Sequence, residues 1–190
     1  MIAPAERSGG GRRAVFLDRD GVINEPVVRE GKPYPPATVE EFRILPGVVE
    51  ACRQLQAAGF VLVVATNQPD VGRGTQTRET VEAMHRAMCA QMPIDHVEDC
   101  YHPGREEACA CRKPAPGMLR HAADLLGIDL GKSYMVGDRW RDIDCGAAAG
   151  CATIFIDRGY REELRANPNF RAADLPAAAR LILERERGAV

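Results

Sequence analysis

Four short apolar runs recur along the chain: Ala14 to Leu17, Phe60 to Ala65, Tyr134 to Val136 and Ala152 to Ile156. Unbroken apolar character over so few residues predicts strands covered on both faces, as in parallel sheets. A more polar strand is expected at Val97 to Tyr101. Between the strands the apolar period changes to that of a helix. After Pro46-Gly47 it falls on Val48, Val49, Cys52, Leu55 and Ala58, with Gly59 as the stop. The next helix runs from about Arg78 to Met92 on Val81, Met84, Ala87 and Met88, and another starts at Pro116 on Leu119, Ala122, Ala123 and Leu126. Arg141 to Ala149, closed by Gly150, and Pro176 to Arg187 complete the set, and Asp157 to Leu175 reads as a loop. Strands alternating with helices predict an α/β fold built on a doubly wound, mostly parallel sheet.

Residues 14–190 are long enough for one domain with a proper core, and the Gly-rich, polar residues 1–13 read as a disordered lead-in. Glu25 to Leu45 is a polar connection containing Gly31-Lys32-Pro33-Tyr34-Pro35-Pro36. It lacks the helical period of a separate cap domain, and loops of this length usually serve a site, so it is expected to be a flap over a pocket. A formal charge of -2 offers no basic field for nucleic acid. No apolar run approaches the ~20 residues of a membrane span, and no signal-peptide core is present, so a cytoplasmic, monomeric protein is expected.

Seven cysteines in such a chain argue against disulfides and toward metal. Cys100, His102, Cys109 and Cys111 together supply three thiolates and an imidazole, a closed set for structural zinc. Cys111 directly precedes Arg112-Lys113, so bound zinc would stiffen that loop. Cys52, Cys89, Cys145 and Cys151 fall in helix or strand patterns and read as small buried residues.

The remaining chemistry lies at strand ends, where open α/β sheets bind ligands. The first strand runs into Asp18-Arg19-Asp20-Gly21, the second into Thr66-Asn67-Gln68, and the fourth into Gly137-Asp138 with Asp142 nearby; Lys113 precedes a helix. This ordered set resembles the four motifs of the haloacid-dehalogenase-like (HAD) phosphohydrolases over residues 14 to 158. The resemblance implies a Rossmann-type three-layer α/β/α fold without a large cap. It makes Asp18 the nucleophile that forms an aspartyl-phosphate, and Asp20 the general acid and then base. It also assigns Mg²⁺ to Asp18, Asp138 and the main-chain carbonyl of Asp20, a hard-oxygen set suited to that ion. Lys113 would supply positive charge to the phosphoryl group, Thr66 and the amides near Asn67 would hold its oxygens, and Asp142 would orient Lys113 or a metal-bound water.

The cysteine set before Arg112-Lys113-Pro114 is similar to that of the heptose 1,7-bisphosphate phosphatases and the related histidinol-phosphatase domains. That likeness implies a small sugar phosphate, first heptose 1,7-bisphosphate losing its 7-phosphate, with histidinol phosphate as the rival. Arg112 stands where the heptose branch places a substrate-binding Arg; Arg139 replaces an expected Lys, exchanging a point charge for a fork. Arg73 is a further candidate for the distal anionic group, whereas Lys32 and Tyr34 in the flap are lesser candidates for sugar contacts, read first as plain loop residues. The competing reading from another class is a zinc-stabilised binding module without turnover.

Overall fold

The computed structural model describes residues 11–104 and 109–188. Its elements are β1 (Ala14–Leu17), β2 (Val27–Arg29), β3 (Lys32–Tyr34), α1 (Val48–Ala57), β4 (Val61–Asn67), α2 (Pro69–Gly72) and α3 (Arg78–Cys89). There follow β5 (His96–Cys100), α4 (Gly117–Leu126), β6 (Tyr134–Gly137), α5 (Trp140–Ala149), β7 (Ala152–Ile156), β8 (Phe170–Ala172) and α6 (Leu175–Gly188). The main sheet has the order β5-β4-β1-β6-β7-β8 and every pairing in it is parallel. The chain starts in the middle, pairing Leu17 with Val64 on one side and Val136 on the other. The switch between β4 and β6 across β1 opens a crevice at the strands' carboxyl ends.

Alternation along each strand feeds two apolar cores, one per face. Val15, Leu17, Leu62, Val64, Val136 and Ile154 pack with residues of α1, α3 and α6, including Leu55, Met84 and Ile182. Ala14, Phe16, Val63 and Met135 face the other way, onto Leu119 and Ala122 of α4 and Cys145 of α5. All residues of β1 are fully buried, as its unbroken apolar pattern requires. Among the described residues no helix is long and apolar enough to cross a membrane.

Four details differ from the sequence reading. Most of the expected lead-in falls outside the described residues, but its end is tied in: the carbonyl of Arg12 accepts from Asp129 N–H and that of Arg13 from Val61 N–H. The Asp157–Leu175 segment contains a strand, β8, whose single charged centre and short length hide any apolar run. It is anchored by Asn169, whose Oδ1 accepts from Thr153 N–H and from the Thr153 hydroxyl. The flap folds into a β2–β3 hairpin. Cys89 is exposed rather than buried: it is the last residue of α3, whose buried face is formed by Val81, Met84, His85 and Met88.

Candidate active site

The tips of β1, β4 and β6 and the loop before α4 converge on a cavity of about 520 Å³. Asp18, Asp20, Asn67, Lys113 and Asp142 line it from the sheet side, and Pro33, Tyr34 and Pro35 of the hairpin from above. At its floor Lys113 is 2% exposed. Its Nζ donates to Asp18 Oδ1 at 2.7 Å and to the Ala65 carbonyl at 2.7 Å, and lies 2.7 Å from Asp142 Oδ1. Burial alone would lower the pKa of this amine, but Asp142 and Asp18 outweigh that and raise it, so it stays charged.

The carboxylates respond in the opposite sense. Burial pushes Asp18 up to about 6 against the pull of Lys113, with Asp142 adding to the rise. Asp138 is raised well above the ordinary carboxylate value by burial first and then by Asp18 and Asp142. Oxygens of Asp18, Asp138 and Asp142 lie within 4.8 Å of one another, and neither Asp138 oxygen has a hydrogen-bond partner among the described residues. Buried orphan oxygens beside two further carboxylates are a donor set that a hard divalent cation satisfies. Gly21 makes the approach possible: at φ 95 its backbone passes so close that a Cβ would lie 1.8 Å from Asp138 Oδ2.

Asp20 is held differently. Nη2 of Arg19 donates to both its oxygens at 3.0 Å, Asn24 Nδ2 donates to Oδ1 at 3.0 Å, and Gln68 Nε2 donates to Oδ2 at 2.8 Å. Gln68 also donates to Thr66 Oγ1 at 2.9 Å, joining the ends of β1 and β4. Beside this site Cys100, His102, Cys109 and Cys111 present one sulfur or nitrogen each within 4.8 Å of the others. Sγ of Cys100 lies 3.4 Å from His102 Nδ1, 3.8 Å from Cys109 Sγ and 3.1 Å from Cys111 Sγ.

Comparison with known proteins decides the family. A model of the HAD-hydrolase-like family matches residues 110–178. The chain is 39% identical over 155 residues to a D-glycero-β-D-manno-heptose-1,7-bisphosphate 7-phosphatase of Pseudomonas putida, an alignment covering 79% of this chain and 85% of that protein. A protein of the same name from Yersinia pestis is 38% identical, over 76% of this chain and 80% of its own. The chain belongs to the HAD-like phosphatases. Its fold superposes with a TM-score of 0.78 on the D,D-heptose 1,7-bisphosphate phosphatase from B. bronchiseptica complexed with magnesium and phosphate. That pair is 33% identical, covering 91% of this chain and 99% of the other.

Within this HAD-like phosphatase the structure brings Asp18, Asp20, Lys113 and Asp142 to one pocket, with Asp138 beneath Gly21. Thr66 is 1% exposed and does not line the cavity. The Asn67 side chain turns to the backbone of Lys113, donating to its carbonyl at 3.1 Å and accepting from its N–H at 3.0 Å. Arg112, Arg139 and Arg73 all reach the cavity wall. Arg139 is paired there with Glu162, Arg73 lies 3.2 Å from Asp70, and Arg112 donates to the His102 carbonyl at 3.2 Å. Tyr34 lines the pocket, and the side chain of Lys32 lies outside the described residues. Sequence reasoning missed Arg19, Asn24 and Gln68. Their signals were slight: Arg19 lies between the two motif acids, Asn24 follows the apolar pair Val22-Ile23, and Gln68 closes the polar triplet after the second strand.

Proposed function

We propose that the protein is a Mg²⁺-dependent phosphatase that removes the 7-phosphate of D-glycero-D-manno-heptose 1,7-bisphosphate through an aspartyl-phosphate on Asp18. The observation that carries the reading is the buried chain Asp142–Lys113–Asp18 beside the two orphan oxygens of Asp138. Lys113 fixes one oxygen of Asp18 and leaves the other to attack phosphorus. As the P–O bond to the sugar breaks, Asp20 gives its proton to the leaving oxygen; it then takes one from the water that attacks the aspartyl-phosphate. Asp18, Asp138 and the Asp20 carbonyl would hold Mg²⁺, which when bound neutralises the charge between Asp18 and a phosphate dianion. Thr66 Oγ1, buried behind the cavity wall, accepts from Gln68 and so ties the end of β4 to Asp20, while the phosphoryl oxygens would rest in a cradle of main-chain amides around Asn67.

The distal phosphate falls to Arg112 and Arg139, with Arg73 at the rim. The names of the relatives support this choice of substrate. A zinc ion would be held by Cys100, His102, Cys109 and Cys111: tetrahedral Zn–S bonds of ~2.3 Å put ligand sulfurs ~3.8 Å apart, the Cys100–Cys109 distance, and the 3.1 Å between Cys100 and Cys111 would have to open to match. Four protein ligands leave no open position, so this ion would be structural.

The test is phosphate release by the Mg²⁺-loaded protein from a panel holding the α and β heptose bisphosphates, their 1-monophosphate and histidinol phosphate. The β bisphosphate is expected to lead. Preference for histidinol phosphate would overturn the substrate. Asp18→Asn should reduce turnover by about 10³-fold or more while leaving the circular dichroism spectrum unchanged. Turnover surviving in that variant would refute the nucleophile.

A further inference from the structure

Arg19 is completely buried, the bulkiest side chain so enclosed among the described residues, although nothing in a strand-end turn calls for a guanidinium there. Its fork closes on Asp20, with Nη2 3.0 Å from both carboxylate oxygens and Nε 3.3 Å from Oδ1. The remaining terminal nitrogen, Nη1, points away from the pocket, 3.2 Å from Nε2 of His85 on α3. Phe42 lies 5.7 Å from the guanidinium carbon.

Arginine has donors only, so the Nη1 N–H donates and Nε2 accepts. That fixes the tautomer of His85: its proton sits on Nδ1, which faces Asp99 Oδ2 at 3.8 Å. Asp99 in turn accepts from the Tyr101 hydroxyl at 2.8 Å. Burial, reinforced by Arg19, lowers the His85 pKa to about 4, so the ring keeps the neutral form the contact needs.

We propose that His85 is a positioning residue for proton transfer: it holds the far end of the Arg19 guanidinium, and through that fork sets the orientation of Asp20. Without an acceptor at position 85, Nη1 would be a buried donor without a partner, and the fork would rotate to find one. Asp20 touches the leaving oxygen; His85 acts only through Arg19. The inference rests on the phosphatase reading above.

A proton-transfer defect has a signature that loss of packing lacks. An alkoxide leaving group needs its proton, whereas p-nitrophenolate leaves unaided. The comparison is therefore kcat/KM, which reports the step that expels the alcohol, for p-nitrophenyl phosphate and for the sugar phosphate ester that the wild type turns over fastest. His85→Leu should lower the sugar phosphate value ~30-fold and the p-nitrophenyl value about threefold or less, since general acids contribute roughly 10²- to 10⁴-fold. His85→Gln, which returns a carbonyl acceptor, should recover most of the loss. Arg19→Lys, unable to form the fork, should repeat the selective loss, and if His85→Leu does not fold, His85→Ala takes its place as the deciding variant. Equal losses on both substrates, or none, in the folded variants would overturn the inference. A wild type inactive on every ester would instead overturn the phosphatase reading itself.

Discussion

Gly21 and Asp138 meet where two loops cross, and the distance between them leaves no room for even one methyl group. An alanine at position 21 has to adopt φ near 95 and place its Cβ 1.8 Å from an oxygen of Asp138. Relief requires one loop to withdraw, which separates Asp138 from Asp18. Gly21→Ala is therefore expected to raise the Mg²⁺ concentration for half-maximal activity at least tenfold. It should also cost more than ~1 kcal/mol of stability, the usual penalty for a side chain at positive φ. Mg²⁺ titration and a denaturant melt check the two halves; wild-type values in both would show that the loops have slack. At this scale the acids and Lys113 were legible because each ends an apolar run or precedes a helix. The Asn67 clasp on Lys113 was not, since its meaning depends on a partner far away in sequence.

Lys113 is presented by a loop rather than by a strand or helix, and a loop has to be made rigid before it can place an ammonium between two carboxylates. One device is the Asn67 amide on the Lys113 backbone; the thiol–imidazole cluster ending at Cys111 would be a second once it holds a metal ion. If zinc fills that cluster, losing one ligand should loosen both the fold and the lysine. Cys109→Ser is expected to release the metal, seen by atomic spectroscopy. Loss of roughly 2–3 kcal/mol would lower Tm by about 5–10 °C in a chain this long, with kcat falling several-fold while Mg²⁺ is saturating. A variant that keeps full zinc and wild-type kcat would remove Cys109 from the site. The elements themselves were mostly readable from period. Among those missed, β8 is three residues with Arg171 at its centre; what makes it a strand is pairing with β7 and the Asn169 clamp on Thr153, neither visible locally.

Taken as a whole, the fold brings the carboxylates of Asp18, Asp138 and Asp142 together at one end of the sheet, two of them paired with Lys113. The fold was legible because each core strand announced itself; the strain of the site was not, because it depends on how deeply the acids are buried together. That strain has a pH dependence. Asp18 has an ordinary value of 3.8 and lies at about 6 in the folded chain. The folded state thus favours the protonated form, so stability from this group is full below pH 3.8 and is lost as pH rises through 6. Ionising it in the metal-free fold costs on the order of 3 kcal/mol. Asp138 shifts in the same direction for the same reason. Bound Mg²⁺ reverses the balance, because it needs these groups ionised. Without divalent metal, the protein is expected to melt several degrees lower near pH 7.5 than near pH 5, and the fall should be smaller in Asp18→Asn. Millimolar Mg²⁺ should raise Tm near pH 7.5 but scarcely near pH 5, and should do little for the variant at either. An Mg²⁺ shift equal at the two pH values, or undiminished in Asp18→Asn, would mean that the cation binds away from these carboxylates.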